Sequence, residues 1–210
     1  MLKLTDITIN LNGKSLINGL SLDLKRGETV CLCGKSGCGK STLLKSILGF
    51  IPFKGEIEVD GMVYTSQNAS QVRRLVSYMP QDISLPHERV NDLLESLFSI
   101  RANRQQKPDT ETLFNEWEQL NISRDFLNKP MSEISGGERQ RIVLSLCALT
   151  GKHLMLLDEP TSSLDPSSTR LVADYLTRIK KKRDIAILAV SHQTDFAERC
   201  DRTLSYPFNQ

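Results

Sequence analysis

The sequence predicts an α/β fold: a core of buried, parallel-type strands, flanked by an antiparallel sheet and interrupted by an inserted helical subdomain. Three observations carry this. Gly34 to Ser41 reads Gly-Lys-Ser-Gly-Cys-Gly-Lys-Ser, which matches the phosphate-loop pattern G-x-x-x-x-G-K-[ST]. It stands between an apolar strand-like run, Glu28 to Cys33, and a helical pattern, Ser41 to Leu48. His153 to Asp158 and Asp184 to Val190 are near-continuous apolar runs of the kind buried on both faces of a parallel sheet. From Val90 to Leu149 the apolar period changes from that of a strand to that of a helix.

Taken in order, Leu2, Leu4, Ile7, Ile9 and Leu11, then Leu20, Leu22 and Leu24, show near-alternating apolar positions on either side of Asn12-Gly13, which predicts two antiparallel strands. Lys25 to Glu28 turns the chain into the strand before the glycine-rich loop. After the first helix, Gly55 to Gly61 reads as a strand ending at an Asp-Gly turn, and Leu75 to Met79 as a short buried strand ending at Pro80-Gln81-Asp82. Helices are expected near Val90 to Arg101, Asp109 to Leu120 and Ser135 to Leu149, with Ala102 to Pro108 a polar surface loop. A further helix, Ser167 to Lys181, lies between the two buried strands. The chain thus divides into an α/β core with its antiparallel flank, residues 1–82 and 150–210, and a helical subdomain, residues 83–149, within one domain of 210 residues.

Composition narrows the function classes. A hydrophobic fraction of 39% and a charged fraction of 25% are those of a globular protein able to bury a core. A balance of 27 basic against 25 acidic side chains does not suit a nucleic-acid ligand, so none is expected. The basic run Arg178 to Arg183 reads as the solvated C-terminal end of a helix, where cations favour the dipole. Without an apolar run long enough to span a bilayer, or a signal-type N-terminus, the expectation is a cytoplasmic protein. The five cysteines (Cys31, Cys33, Cys38, Cys147, Cys200) form no zinc-type knuckle and are expected to act as small buried hydrophobes.

The chemistry begins at the loop. Gly34, Gly37 and Gly39 let the backbone turn tightly, so that its N–H groups and the positive end of the next helix converge on a polyphosphate. Lys40 should then reach the β- and γ-phosphates, and the Ser41 hydroxyl should bind Mg²⁺. Asp158 closes an apolar strand, where a doubly wound sheet presents ligand-facing residues, and can hold Mg²⁺ opposite Ser41. Glu159 beside it supplies a second carboxylate to polarise water. His192 ends the next strand at the same sheet edge, as a phosphate contact or as a structural residue. Ser135-Gly136-Gly137-Glu138 forms a capping box that accounts for a helix start by itself. The paired glycines also leave that N-terminus open enough to grip an anion.

Six ordered elements together make the chain resemble, over essentially its whole length, the ATP-binding subunits of ABC transporters. They are the Walker A loop Gly34 to Ser41, the Q-loop glutamine Gln81, the signature Ile134-Ser-Gly-Gly-Glu138, the Walker B strand Leu154 to Asp158 with Glu159, the D-loop Ser163-Leu164-Asp165, and the switch His192. The resemblance implies a P-loop NTPase with a RecA-like core, with ATP and Mg²⁺ as ligands. It implies a nucleotide held by Gly34, Lys35, Ser36, Gly37, Cys38, Gly39, Lys40, Ser41 and Thr42, with Ser41, Gln81 and Asp158 at the metal. It further implies a head-to-tail homodimer, each ATP being completed by Ser135, Gly136 and Gly137 of the other copy, with Asp165 also at the nucleotide. In that scheme Glu159 orients or deprotonates the attacking water, His192 contacts the γ-phosphate, and Gln81 links the site to the helical subdomain. Two positions depart from the commonest pattern. Glu138 stands where many members have Gln, and Leu11 stands where an aromatic residue usually stacks on adenine, which leaves base affinity and purine selectivity open.

The function so implied is ATP hydrolysis that drives transport through separate transmembrane permease subunits, with the protein peripheral on the cytoplasmic face of the membrane. The alternative is a soluble ABC ATPase acting on nucleic acid or ribosomes. Such chains resemble tandem cassettes or carry coiled-coil or zinc inserts, which this sequence lacks. A non-hydrolysing regulatory cassette is disfavoured by Glu159 and His192.

Overall fold

The computed structural model of the protein describes residues 1–82 and 89–206; the first part of the expected helical subdomain, residues 83–88, lies outside the described residues. The chain opens with β1 (Leu2–Leu11) and β2 (Lys14–Leu24), paired antiparallel across Asn12-Gly13. Both turn residues are left-handed, φ 51° and 75°, as a two-residue hairpin turn of this handedness demands. Asp6, φ 52°, is the extra residue of a β-bulge between the Leu4–Leu22 and Ile7–Leu20 pairs. The bulge explains the three-residue step from Leu4 to Ile7: without it Ile7 and Ile9 would face solvent, and with it Leu2, Leu4, Ile7 and Ile9 are all buried.

The next elements are β3 (Thr29–Cys33), α1 (Lys40–Ile47), β4 (Lys54–Val59), β5 (Met62–Val63), α2 (Ala69–Arg74) and β6 (Val76–Met79). The helical stretch follows as α3 (Val90–Ser99), α4 (Thr110–Glu118) and α5 (Gly136–Leu149), and the chain then runs through β7 (Leu154–Asp158), α6 (Pro166–Arg183), β8 (Ala186–Ser191), α7 (Thr194–Ala197) and β9 (Arg202–Ser205). One sheet is antiparallel, in the order β2-β1-β4-β5. The other is parallel throughout, in the order β6-β7-β8-β3-β9. Side chains alternating along the parallel strands divide the interior. Val30, Leu32, Leu154, Leu156, Leu188 and Val190 face a core shared with α1 and the antiparallel sheet, whereas Cys31, Met155, Leu157, Ile187 and Ala189 face a core shared with α3 to α6. The loops after β3, β6, β7 and β8 all leave the carboxyl edge of this sheet, which is where such folds place ligands.

Several expectations need correction. Ala102 to Pro108 is more than a surface loop: Arg104–Gln106 forms a 3₁₀ turn, and buried Asn103 donates from Nδ2 to the Leu97 carbonyl at 3.0 Å. Asp184 does not belong to a strand but ends α6 in a left-handed conformation, φ 54°. The basic run is only partly solvated. Lys180 is buried and ion-paired with Asp201, and Arg183 reaches Glu116 of α4 at 2.6 Å, leaving Lys181 and Lys182 exposed. Glu116 is buried and also accepts from the Tyr175 hydroxyl at 2.5 Å, so one carboxylate ties α4 to α6 twice. Among the cysteines, Cys31 and Cys147 are buried as expected, while Cys33, Cys38 and Cys200 are half-buried. No helix among the described residues is long and apolar enough to cross a membrane.

Candidate active site

Where β3 ends, the chain turns at once into the glycine-rich loop. Gly37 (φ 80°) and Gly39 (φ 100°) are left-handed, as the tight turn requires. Gly34 is not, and its smallness serves close packing instead: an added Cβ would stand 2.8 Å from Tyr206 Cβ and 2.9 Å from Cys38 Sγ. Gly39 caps α1 without a side-chain hydrogen bond, and no acidic residue lies in the first turn. By contrast Asp109, Ser135 and Asp165 cap α4, α5 and α6 with their side chains. The first-turn N–H groups of α1 are therefore open to an anion, with the helix dipole behind them.

Lys40 is buried, and its Nζ donates to the carbonyls of Gly34 (2.7 Å) and Lys35 (3.2 Å). The nearest charge to it is Glu159, with Oε1 at 3.9 Å. The Ser41 hydroxyl donates to Asp158 Oδ1 at 2.8 Å, and the Tyr78 hydroxyl donates to Oδ2 at 3.4 Å. Burial pushes the Asp158 carboxyl up, opposed by the Ser41 hydrogen bond and reinforced by the charge of Glu159. Burial, and then Asp158, pushes the Tyr78 hydroxyl up to about 12, so Tyr78 remains a donor. Ser41 and Asp158 offer hard oxygen donors, the kind that suits Mg²⁺. No group of three or more His, Cys, Asp or Glu able to hold a metal occurs among the described residues.

Glu159 has left-handed backbone, φ 51°. Its N–H donates to Val190 O at 2.9 Å, and its carbonyl accepts from Ser162 N at 3.2 Å and from Gln140 Nε2 at 2.8 Å. The carboxylate accepts from the His192 backbone N–H at 3.3 Å and lies 2.9 Å from His192 Nδ1. With a carboxylate as partner Nδ1 carries a proton.

These groups meet at a cleft of ≈ 410 Å³ lined by Lys35, Ser36, Gly37, Gly39, Lys40, Ser41, Thr42, Gln81, Glu159 and His192. Gly34 and Cys38 belong to the same loop, and Asp158 joins the site through Ser41, though none of the three lines the cleft. Ser135, Gly136, Gly137 and Asp165 do not line it either. Ser135 and Glu138 complete the capping box, with Ser135 N to Glu138 Oε2 at 2.9 Å and Glu138 N to Ser135 Oγ at 3.3 Å. The hydrogen bond from Ser135 holds the Glu138 carboxyl below its ordinary value. Gly137 has a packing reason of its own, since an added Cβ would stand 3.0 Å from Leu164 Cδ2 and 3.1 Å from Ser163 O. Asp165 accepts from Ser167 N and Ser168 N, and the hydroxyls of both serines lower its carboxyl further. Leu11 is 38% exposed at the open end of β1 and does not line the cleft.

Three further residues, outside the sequence motifs, support the site. Leu16 abuts the phosphate loop, 3.0 Å from where a Gly39 Cβ would be. Tyr78 supports Asp158. Gln140 is buried against the Glu159 loop, and its one sequence signal is a polar side chain on an otherwise apolar helix face with Val143, Leu144 and Cys147.

A helix N-terminus stripped of caps, a buried lysine, a Ser–Asp oxygen pair and a carboxylate–histidine pair define a phosphate-loop nucleotide hydrolase. The chain belongs to the ABC transporter family: the family model of that description matches residues 17–162. It is 32% identical, over 98% of its length and 90% of the relative's, to the probable iron export ATP-binding protein of Escherichia coli. It is 30% identical to a phosphonates import ATP-binding protein of Trichormus variabilis, over 89% of this chain and 79% of that one. Other curated relatives are longer. The chain spans 43% of a putative ABC transporter ATP-binding protein of Treponema denticola, at 29% identity over 97% of its own length. Among solved structures, a dimeric bacterial ABC transporter cassette shares the fold with a TM-score of 0.83 at 20% identity, covering 98% of this chain and 94% of that one. A putative ABC transporter ATP-binding protein from Pyrococcus furiosus does so with 0.83 at 23%, covering 97% and 96%. The chain is accordingly an ATP-binding ATPase domain of this family.

Proposed function

We propose that the protein is the motor subunit of a membrane transporter, in which two copies bind ATP head to tail and drive separate transmembrane subunits from the cytoplasmic face. One observation carries the dimer: Ser135, Gly136 and Gly137, the open helix start expected to grip a γ-phosphate, lie outside the chain's own cleft, the two glycines beside Ser163 and Leu164. The cleft therefore has phosphate-loop donors on one side and needs a second chain for the other. A solved ABC cassette of the same fold is itself described as dimeric, which supports the reading.

Within each site the first-turn amides of α1 and the Lys40 ammonium take the phosphates, Lys40 exchanging the Gly34 and Lys35 carbonyls for phosphate oxygens. Ser41, Asp158 and Gln81 would hold Mg²⁺, which when bound neutralises phosphate charge as the bond to the leaving group breaks. Glu159 accepts a proton from the attacking water, and His192 orients that carboxylate through Nδ1 and places its ring beside the γ-phosphate. Residues 83–149 would be the helical subdomain that moves with Gln81.

The test uses a Glu159→Gln protein, which should hold ATP unhydrolysed. Sedimentation velocity should show it pass from monomer to dimer on adding Mg-ATP. Adding Ser135→Arg should abolish the dimer while a fluorescent-nucleotide titration shows ATP still bound through Lys40 and Ser41. Equal dimerisation by the Ser135→Arg protein would return that stretch to the role of a helix cap.

A further inference from the structure

We propose that Gln140 is a positioning residue for ATP hydrolysis: from α5 it clamps the backbone of Glu159 in the conformation that aims the carboxylate. The inference rests on the assignment of Glu159 as the general base. It adds a residue that does not line the cleft.

Gln140 is 3% exposed, and both ends of its amide are spent on one loop. Nε2 donates to the Glu159 carbonyl at 2.8 Å and lies 3.4 Å from Ser162 Oγ, while Oε1 accepts from the Ser163 N–H at 3.2 Å. The atom it grips belongs to a residue under conformational load, because Glu159 is a branchless but non-glycine residue at φ 51°. That backbone region is unfavourable for any side chain with a Cβ and persists only where surrounding bonds over-determine it. Here the bonds are the Glu159 N–H to Val190 O at 2.9 Å, Ser162 N to the Glu159 carbonyl at 3.2 Å, and Gln140. The first is an extension of the sheet and the second is a local turn. Among the described residues, Gln140 is what ties the strained backbone to a helix.

Orientation follows from that bond. Rotation of Glu159 out of the left-handed region would turn its carbonyl away from α5 and carry the carboxylate away from Lys40 and His192, at 3.9 Å and 2.9 Å. Because α5 begins at Gly136, the helix that presents Ser135-Gly136-Gly137 also holds the base of its own chain's site. A buried glutamine whose only task was to satisfy its own amide could do so anywhere along the helix. This one directs its amide to Glu159, Ser162 and Ser163.

The variant Gln140→Met keeps the length of the side chain and removes both polar ends. Steady-state phosphate release and a fluorescent-nucleotide titration on the whole protein should show kcat at least tenfold lower, with ATP affinity within twofold of the parent. The decisive arm is a double-mutant cycle. If Gln140 acts only through the Glu159 carboxylate, adding Gln140→Met to Glu159→Gln should change the residual turnover by less than twofold. A general packing defect would instead cost the same factor in both backgrounds. Should Gln140→Met not fold, Gln140→Glu is read the same way; it retains an acceptor for Ser163 N–H and, when ionised, has no donor for the Glu159 carbonyl. Turnover within threefold of the parent, a parallel loss of affinity, or equal factors in the two backgrounds would each overturn the proposal. Substantial turnover by Glu159→Gln alone would instead sink the assignment of the base, so the two failures are told apart.

Discussion

His192 meets Glu159 twice on one oxygen: the backbone N–H lies 3.3 Å and ring Nδ1 2.9 Å from Glu159 Oε2. The other carboxylate oxygen is thereby left toward Lys40, and the imidazole, 58% exposed, is held by its acidic neighbour rather than by packing. Removing the ring should therefore cost catalysis and little stability.

Three substitutions separate binding from chemistry. His192→Ala should lower kcat by about 10–100-fold with a melting temperature within about 2 °C of the parent. Glu159→Gln should lower kcat by roughly 10²–10⁴-fold, the usual range for a general base, and tighten ATP because a carboxylate beside the γ-phosphate is neutralised. Lys40→Ala should lose tight Mg-ATP binding, since its ammonium contacts phosphate in the ground state. Calorimetry and phosphate release read both quantities. Weaker ATP binding by Glu159→Gln than by the parent would contradict this electrostatic account.

Asp158 carries a stability cost that can be measured. Its folded value is raised, first by burial, so it favours the fold while protonated and loses that contribution as pH rises through the raised value. Asp158→Asn, uncharged throughout, should melt higher than the parent near pH 8. The gap should narrow as pH falls into the carboxylate range and the native side chain protonates. Mg-ATP turnover should be lost at the same time. A gap independent of pH in scanning calorimetry would show that the ionised carboxylate is not its cause.

In the proposed site Leu11 would meet the base, outside the cleft that takes the phosphates. An aliphatic side chain packs on adenine without an aromatic face, and stacking of a base on an aromatic residue is worth about 1–3 kcal/mol. Leu11→Tyr should tighten ATP by about tenfold or more and favour it over pyrimidine triphosphates in competition titrations. Unchanged affinity would assign the base to Leu16 or to another wall.

The carboxylate that ties α4 to α6 should matter to stability alone. Glu116→Leu leaves the Arg183 guanidinium and the Tyr175 hydroxyl without their shared acceptor, which should cost about 2–4 kcal/mol and lower the melting temperature by about 5–10 °C. ATP affinity of the folded fraction should not change. A shift under about 1 °C would mean that water replaces the carboxylate without penalty.

What could be read from the sequence was whatever local rules determine. Gly37 and Gly39 announce left-handed backbone, Ser135 and Glu138 a capping box, and Asp158-Glu159 the end of a buried strand, so the phosphate side of the cleft was legible residue by residue. Partners far apart in the chain were not. Nothing near Lys180 names Asp201, nothing near Glu116 names Arg183, and Gln140 reaches Glu159 only once two elements have packed. Short elements also escaped, because α2, α7 and β9, of 6, 4 and 4 residues, hold too few positions for a period to show. Leu4 and Ile7 break the strand period for a reason visible only in the paired register, the bulge at Asp6.

The parallel sheet that separates the two apolar cores also sets how the molecule comes apart. Each core is sealed by the sheet on one side and by its own set of elements on the other: α3 to α6 for one, and α1 with the antiparallel strands for the other. Loosening either outer layer leaves the five hydrogen-bonded strands and the opposite core intact, so the two layers are separate cooperative units with a common wall. In native-state hydrogen exchange, amides of α4 and α5 should then follow one opening isotherm and those of β1, β2 and β4 another. The amides of β7 and β8 should exchange only when the last of the two gives way.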